Sequence, residues 1–274
     1  MRGSLLRQLK RPSLLLATLG TAAAIVAYGS AQSRPAADAA IDPQADAALK
    51  QMGACLAAAR QFSFAADDMM DQLLADGQRV QVSINHRFTV RRPNAVAAEA
   101  EGDLENARYV YDGKSLAIVD RAENIYALLD VPNTIDAMLD YVAEKYALTM
   151  PLSDLFYSEP YAVARPRMRC VSYVGLHQVR GVKCHHLAIR QESVDWQIWI
   201  QATDPPVPRK LVITYKELPG QPQYVAFLND WNLAAEVPEG TFSFTPPPGA
   251  RKTDLTPGRK QVEPPAEPAP GRKP

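Results

Sequence analysis

Residues 79–90 alternate between apolar and polar side chains, which is the two-residue period of a strand with one buried face. The apolar positions of this segment are Val80, Val82, Ile84, His86, Phe88 and Val90. The pattern predicts an amphipathic strand whose apolar side faces the protein interior and whose polar side faces water.

Turn signals divide the chain into many segments of this kind. Asp76-Gly77, Asp112-Gly113 and Gly181 each stand between strand-like segments, and Asp-Gly favours two-residue turns that require positive φ. Further strands are predicted near residues 95–101, 124–129, 195–202, 209–216, 223–233 and 242–245. An antiparallel sheet of roughly ten or more strands tends to curl or close instead of staying flat.

Two longer segments follow the helical period instead. Residues 42–61 begin with Asp42 as the N-cap and Pro43 in the first turn, and apolar residues then recur at helical spacing. Residues 134–147 carry a second apolar stripe, and a short helix is predicted after Pro151. We expect these stripes to lie against the apolar face of the sheet, which predicts an α+β fold with helices on one side of a large antiparallel sheet.

The chain ends have the composition of segments outside a folded domain. Residues 1–31 resemble a secretory signal peptide, with basic residues, an apolar run and small residues at Gly29 and Ala31. An uncleaved membrane anchor is the alternative, because the run approaches the ~20 residues that span a bilayer. We expect a linker over residues 32–40, one domain over 41–250 and a disordered Pro-rich tail over 251–274.

Charge and cysteine content exclude some functions. The 274 residues include 30 basic and 30 acidic ones, so the basic patch of a nucleic-acid-binding protein is not expected. The odd number of cysteines, 3, allows at most one intramolecular disulfide in an oxidising compartment.

The register of the strands on either side of residues 180–181 decides whether Cys170 and Cys184 can form a disulfide. A turn at Arg180-Gly181 would bring Cys184 opposite His177 and Cys170 close to Gln191. A disulfide requires Cα atoms within about 7 Å. We therefore expect Cys170 and Cys184 not to be bridged.

The order of several motifs resembles a known family. These motifs are VRRPN (90–94), YVYDGKSLAIVD (109–120), GVKCHHLAIRQESVDWQIWI (181–200), PVPRKLVITYK (206–216) and FSFTPPPGA (242–250). Together with the signal peptide and the helix order, they resemble a family of predicted periplasmic proteins of unknown function, similar to the LolA-like superfamily of lipoprotein carriers. The resemblance implies a half-barrel, an open and strongly curved sheet whose apolar concave face is covered by helices. No arginine of this chain is assigned the lid-latching role that an arginine has in those carriers.

The segment CHH, residues 184–186, is the first candidate for chemistry. In a strand His185 and His186 point to opposite faces, so they are poorly placed to bind one metal ion. Cys184 and His186 share a face and could form a nucleophile and base, but no third group or oxyanion-forming turn is recognisable. We expect neither a metal nor a cofactor.

The segment AADDMMD offers a carboxylate pair of the kind that glycosidases use, from Asp67, Asp68 and Asp71. With a two-residue turn at Asp76-Gly77, Asp67 and Asp71 would lie on the apolar side, and Phe62 and Phe64 would face out, unless a bulge near Asp67 intervenes. A solvated rim, or an aspartate bonded within the sheet, is favoured over catalysis.

The two tryptophans of DWQIWI, Trp196 and Trp199, lie on opposite faces of one strand. Trp196 shares its face with Ile198 and Ile200, so it is the candidate for the apolar interior, whereas Trp199 is expected on the outer face or under a loop.

These observations favour a monomeric periplasmic protein that binds or carries a lipid or the acyl part of a lipoprotein, with residues 134–147 as a movable lid and a membrane-bound lipoprotein as possible donor or acceptor. The predicted ligand-binding residues are Val80, Val82, Ile84, Phe88, Tyr109, Leu116, Ile135, Met138, Leu139, Val142, Trp196 and Ile198. The alternative is an envelope module that binds another protein and uses its apolar interior only as a core. An enzyme is the third hypothesis.

Overall fold

The computed structural model describes residues 40–74, 76–149 and 152–256. The predicted signal peptide, the predicted linker up to residue 39 and the predicted tail from residue 257 onwards lie outside the described residues. Three α-helices are present in the described part: α1 (Pro43–Ala58), α2 (Ile135–Tyr146) and α3 (Pro160–Ala164). Single 3-10 turns precede and follow α3, at Ser153–Leu155 and Arg165–Arg167. No helix within these ranges is long and apolar enough to cross a membrane.

One sheet contains all the strands of the described residues. Along the chain they are β1 (Gln61–Leu73), β2 (Arg79–Arg91), β3 (Ala95–Gly102), β4 (Asn106–Tyr111), β5 (Ser115–Asp120), β6 (Ile125–Asp130), β7 (Cys170–Val179), β8 (Val182–Arg190), β9 (Val194–Gln201), β10 (Pro208–Tyr215), β11 (Gln223–Asn232) and β12 (Arg251–Lys252). Their order in the sheet is β12-β6-β5-β4-β3-β2-β1-β11-β10-β9-β8-β7. Neighbours are antiparallel except β12 and β6, and the edge strands β7 and β12 do not pair, so the sheet is open.

Local signals explain most of these elements. The Asp42 side chain accepts hydrogen bonds from the amides of Gln44 and Ala45, which caps α1, and Pro43 occupies its first turn. The hairpin between β7 and β8 turns at Arg180-Gly181, where both residues have positive φ, as the two-residue turn requires. The predicted α+β fold with helices on one face of the sheet is confirmed.

The first hairpin differs from the prediction. Leu73 pairs with Arg79, so the connection comprises residues 74–78 instead of a two-residue turn at Asp76-Gly77. The longer loop shifts the register by one residue, and such a shift exchanges the two faces of a strand. Phe62 and Phe64 therefore point inwards and are buried.

The side of the sheet covered by the helices is called the inner face. Its side chains form one core with α1, α2 and the segment 152–168. α1 lies over β7, β8 and β9. Ile135, Met138, Val142 and Tyr146 bury the apolar stripe of α2 in the same core.

The segment after β11 packs on the outer face instead of forming the strand predicted at 242–245. Phe242 is buried against Ala95 and Ala97 there. Pro246, Pro247 and Pro248 follow, and prolines cannot donate hydrogen bonds to a sheet. β12 then pairs with β6 just beyond residue 250, where the sequence suggests that the domain ends.

Candidate functional site

A cavity of about 120 Å³ lies between the inner face and its helical cover. The sheet side of its wall comes from β9, β10 and β11, and the cover side from α1 and the segment 152–164. The lining residues are Met52, Leu152, Asp154, Leu155, Pro160, Ala164, Gln191, Val194, Trp196, Ile198, Pro208, Leu211, Ile213 and Leu228. Apart from Asp154 and Gln191, this lining is apolar.

The size of the cavity limits what it can hold. An engineered apolar cavity of about 150 Å³ binds benzene, so this one accepts a group of roughly that size. Trp196, Leu211 and Ile213 are only half-buried, so apolar wall remains accessible. A longer apolar ligand would have to extend from the cavity along the inner face or displace the cover.

The cover is held together by contact between α1 and α3. A Cβ atom added at Gly53 would lie 2.7 Å from Cβ of Tyr161, so only glycine permits this approach. The Tyr161 hydroxyl donates a hydrogen bond of 2.6 Å to Asp46 of α1. Asp46 also forms an ion pair with Lys50, and the hydrogen bond from Lys50 lowers the pKa of Asp46. The two helices therefore act as one covering unit.

Arg92, which follows β2, fastens this cover to the sheet. Its Nη1 donates to the carbonyl oxygen of Phe156 at 2.5 Å, and its Nη2 donates to that of Leu56 at 3.4 Å. The guanidinium carbon lies 5.5 Å from the ring centre of Phe62. Burial lowers the pKa of Arg92, but an arginine remains protonated at neutral pH. The sequence offered no signal for this role, because the partners are backbone carbonyls.

Two of the twelve predicted ligand-binding residues, Trp196 and Ile198, line the cavity. Several others are core residues of the inner face or of α2: Phe88, Tyr109, Leu116, Ile135, Met138 and Val142. Leu139 is half-buried against the same core, and so is Ile84. Val80 and Val82 are half-buried on β2, and whether any of these residues contacts a ligand stays a prediction.

One row of paired residues connects the cavity with the predicted β2 surface. Trp196 pairs with Ile213, Ile213 with Tyr224, Tyr224 with Met70, and Met70 with Val82. All five lie on the inner face, so the cavity and β2 belong to one surface. Trp199 lies on the outer face, as predicted, where its ring stacks on that of His186 at 3.9 Å.

The Cys184 and His186 pair lies on the outer face, away from the cavity. Cys184 is fully buried, and burial raises the pKa of its thiol, which disfavours the reactive thiolate. His186 contacts Nδ1 of His177 at 2.9 Å and the Gln197 side chain at 3.0 Å. His185 belongs to the inner face, where it contacts the Tyr173 hydroxyl. No group of three or more His, Cys, Asp or Glu residues suited to a metal occurs in the described ranges.

The three aspartates of β1 separate between the faces. Asp67 pairs with Asn85 and Asp71 with Gln81 on the outer face, whereas Asp68 is buried on the inner face. The expectation that Asp67 and Asp71 share the apolar side is therefore wrong, because the register differs by one residue. Asp67 instead binds Arg180 at 2.8 Å on the surface.

The fold and site define an α+β protein with an open curved sheet and an apolar cavity under a helical cover. The chain belongs to the family of predicted periplasmic proteins DUF2092, whose model matches residues 45–256. This confirms the family resemblance inferred from the sequence motifs, and the family description confirms the periplasmic localisation. No curated protein matches the chain.

Solved structures with a similar arrangement have low sequence identity. Lipoprotein LppX of Mycobacterium tuberculosis is 12% identical, with a TM-score of 0.46 over 72% of this chain and 100% of that chain. An uncharacterised conserved protein from Thermus thermophilus is 9% identical, with a TM-score of 0.45 over 77% and 99% of the two chains. A LolA superfamily protein from Nitrosomonas europaea is 8% identical, with a TM-score of 0.38 over 73% and 97%. No ligand or activity is transferred from them.

Proposed function

We propose that this protein binds or carries a hydrophobic ligand, a lipid or the acyl part of a lipoprotein, on the inner face of its sheet. The observation that supports the proposal is the apolar cavity, which is continuous with half-buried apolar surface on β9 and β10. Ligand sites are typically concave, mostly apolar and provided with a few polar groups. Binding is driven by removal of apolar ligand surface from water.

A chain longer than the cavity can lie along the row from Trp196 to Val82. The row crosses four gaps between strands, which is about 19 Å at roughly 4.8 Å per gap. Entry requires the cover to separate from the sheet. The cavity lining includes α1 and the segment 152–164 but no residue of α2, so we assign the lid to α1 and α3 instead of to residues 134–147.

The proposed cycle needs no catalytic step. Cys184 and His186, the candidate nucleophile and base, lie on the outer face and cannot reach a ligand in the cavity. We propose that the protein acts as a monomer that receives the ligand from, or delivers it to, a membrane-bound lipoprotein partner.

Dye binding with a cavity-filling variant tests the site. N-phenyl-1-naphthylamine, a neutral dye that fluoresces in apolar surroundings, is titrated into the wild type, Ala164→Phe and Ala162→Phe. Ala164 lines the cavity, whereas Ala162 is exposed on the same helix. We expect at least a tenfold loss of dye affinity in Ala164→Phe and wild-type affinity in Ala162→Phe. Equal affinity in all three proteins would place the dye elsewhere and count against the proposal.

Native mass spectrometry of protein purified from its own periplasm tests the ligand itself. A co-purifying lipid that is lost in Ala164→Phe supports the carrier. Protein that carries no lipid and binds no dye favours the alternative, an envelope module that binds another protein.

A further inference from the structure

Three polar side chains interrupt the apolar inner face. Asp68 on β1, His86 on β2 and Tyr224 on β11 are here called the polar cluster. Asp68 pairs with Ala226 and Ile84, Tyr224 precedes Ala226 by two residues, and His86 follows Ile84 by two. Positions two apart on a strand share a face, so the three side chains converge on one area of the inner face.

The carboxylate of Asp68 is only half satisfied. Its Oδ2 accepts a hydrogen bond from His86 Nδ1 at 2.6 Å, while the His86 ring stacks on Phe88. Its Oδ1 is buried and has no hydrogen-bond partner among the described residues, although Asp68 is only 3% exposed. A desolvated carboxylate oxygen without a partner is costly, so it needs an explanation.

The Tyr224 hydroxyl is also buried and, like Oδ1 of Asp68, has no hydrogen-bond partner within the described part of the chain. Burial raises the pKa of Tyr224 well above its usual value, and the nearby charge of Asp68 adds to the effect. The hydroxyl lies close enough to this carboxylate for a side-chain interaction with Asp68 that also raises the pKa of Tyr224, but neither the hydroxyl nor Oδ1 of Asp68 has a partner that meets the full geometry of a hydrogen bond. Tyr224 is therefore a neutral phenol that can still donate its proton to a ligand.

The area of the inner face that holds the polar cluster is continuous with the cavity. Tyr224 pairs with Ile213, and Ala226 pairs with Leu211. Ile213 and Leu211 both line the cavity. Adjacent strands are about 4.8 Å apart, so Asp68 lies about 10 Å along the sheet from Leu211. An amphipathic molecule can therefore contact the polar cluster and the cavity at the same time.

We propose that the polar cluster binds the hydroxyl group of a neutral amphipathic lipid whose chain extends into the cavity. A hydroxyl can donate to Oδ1 of Asp68 and accept from Tyr224, which supplies both missing partners. A carboxylate headgroup has no proton to donate at neutral pH and would bring a second negative charge next to Asp68. This inference rests on the proposed function and specifies the headgroup that the site selects.

Displacement of N-phenyl-1-naphthylamine by ligands of equal chain length tests this selection. The competitors are 1-dodecanol below its solubility limit, and dodecanoate and dodecylammonium below their micellar concentrations, all at pH 7.5. We expect 1-dodecanol to displace the dye from the wild type at a concentration at least tenfold lower than dodecanoate. In Asp68→Asn the charge is removed and the shape retained, so the difference should fall below about threefold.

Two further variants keep the test decisive. Tyr224→Phe removes only the hydroxyl and should weaken 1-dodecanol binding about fivefold or more relative to the affinity of the same variant for the dye. Asp67→Asn removes a carboxylate from the outer face of the same strand, where it binds Arg180, and should keep the wild-type preference. If Asp68→Asn does not fold, the affinity of Tyr224→Phe for 1-dodecanol tests the headgroup assignment by itself.

The outcomes separate this inference from the proposed function. Dye binding without a preference for 1-dodecanol, or a preference that survives in Asp68→Asn, would overturn the headgroup assignment but leave the carrier intact. Tighter displacement by dodecylammonium than by 1-dodecanol would overturn it too, since the cluster would then select a cation. Unchanged 1-dodecanol binding in Tyr224→Phe would also overturn it, since the Tyr224 hydroxyl would then not contact the headgroup. Failure of the dye to bind in the cavity would instead remove the proposed function.

Discussion

Arg92 donates a hydrogen bond to the carbonyl oxygen of Phe156 across the boundary between the sheet and its cover. Its second nitrogen donates to the carbonyl oxygen of Leu56 near the end of α1. One side chain thus binds both α1 and the segment 152–164 that contains α3. Because both acceptors are backbone atoms, the contact depends on the position of the cover and breaks when the cover moves away.

Replacement of Arg92 by methionine should loosen the lid. The apolar stem is retained over Phe62, but two carbonyl oxygens lose a charged donor. Hydrogen bonds to charged groups contribute about 1.5–3 kcal/mol, so we expect the free energy of unfolding to fall by about 2–3 kcal/mol. Stopped-flow mixing with the dye should show faster entry. Arg91→Met, at the neighbouring exposed position, should have little effect on entry. Equal entry rates in both variants would argue against the role of Arg92 in holding the lid.

Gly53→Ala tests the contact between α1 and α3 through the sign of the change in the free energy of unfolding. Helix propensity alone predicts that alanine stabilises α1 by about 1 kcal/mol. The added methyl group would lie 2.7 Å from Cβ of Tyr161, so we expect destabilisation of about 1–3 kcal/mol by urea unfolding. Ala54→Leu adds a larger side chain at an exposed position of the same helix and should change stability by less than about 0.5 kcal/mol. A more stable Gly53→Ala protein would show that the helices separate at no cost.

The elements with local signals could be predicted from the sequence. α1 follows from Asp42, Pro43 and the apolar stripe, because an N-cap and its helix are set by residues a few positions apart. The alternation of apolar and polar residues in β2 correctly predicted which of its side chains lie on the inner face, since a strand that buries one side has a strict two-residue period.

The register of the first hairpin and the cavity could not be predicted in this way. The loop of residues 74–78 is selected by the pairing of two strands of 13 residues each, and no dipeptide within it indicates that length. The cavity depends on segments distant in sequence, such as Met52 and Leu211. The contacts of Arg92 could not be predicted either, because it binds backbone carbonyl oxygens, which every residue type has.

The cysteines are predicted to remain without a mutual disulfide. Cys184 pairs with His177, as expected, and Cys170 pairs with Arg190, one residue from the expected Gln191 because β7 has a bulge between Tyr173 and Gly175. Cys170 lies seven residues before His177, which is about 23 Å along a strand and far beyond the reach of a disulfide. Peptide mapping without reduction should yield no crosslinked peptide containing both. Its detection would show that the register of β7 and β8 is wrong.

His186 should make stability depend on pH. Burial lowers its pKa from the ordinary value of 6.5, Lys210 and His177 add positive charge nearby, and the bond to Gln197 opposes the shift. The unfolded chain therefore takes up the proton first as the pH falls. This contribution to stability is full above about pH 6.5 and is lost as the pH falls towards the folded-state pKa.

Urea unfolding between pH 8 and pH 5 measures this loss. His186→Phe keeps an aromatic ring next to Trp199 but cannot titrate, so its stability should fall less over this range than that of the wild type. Trp199→Phe retains the imidazole and should keep the wild-type pH dependence. The prediction fails if the wild type and His186→Phe lose stability in parallel.

The assignment of faces on β2 can be tested with two neighbouring residues that differ in burial. Ile84 pairs with Asp68, which is buried on the inner face, and Asn85 pairs with Asp67, which is 47% exposed on the outer face. Ile84→Asp and Asn85→Asp therefore both create a carboxylate opposite an aspartate, which is unfavourable in either case. In water the repulsion is screened, so Asn85→Asp should cost less than about 1 kcal/mol. On the inner face the new charge is desolvated as well, so Ile84→Asp should cost several kcal/mol in urea unfolding at pH 7.5 and abolish dye binding. Comparable stability of the two variants would mean that Ile84 faces water and that the inner face does not extend to β2.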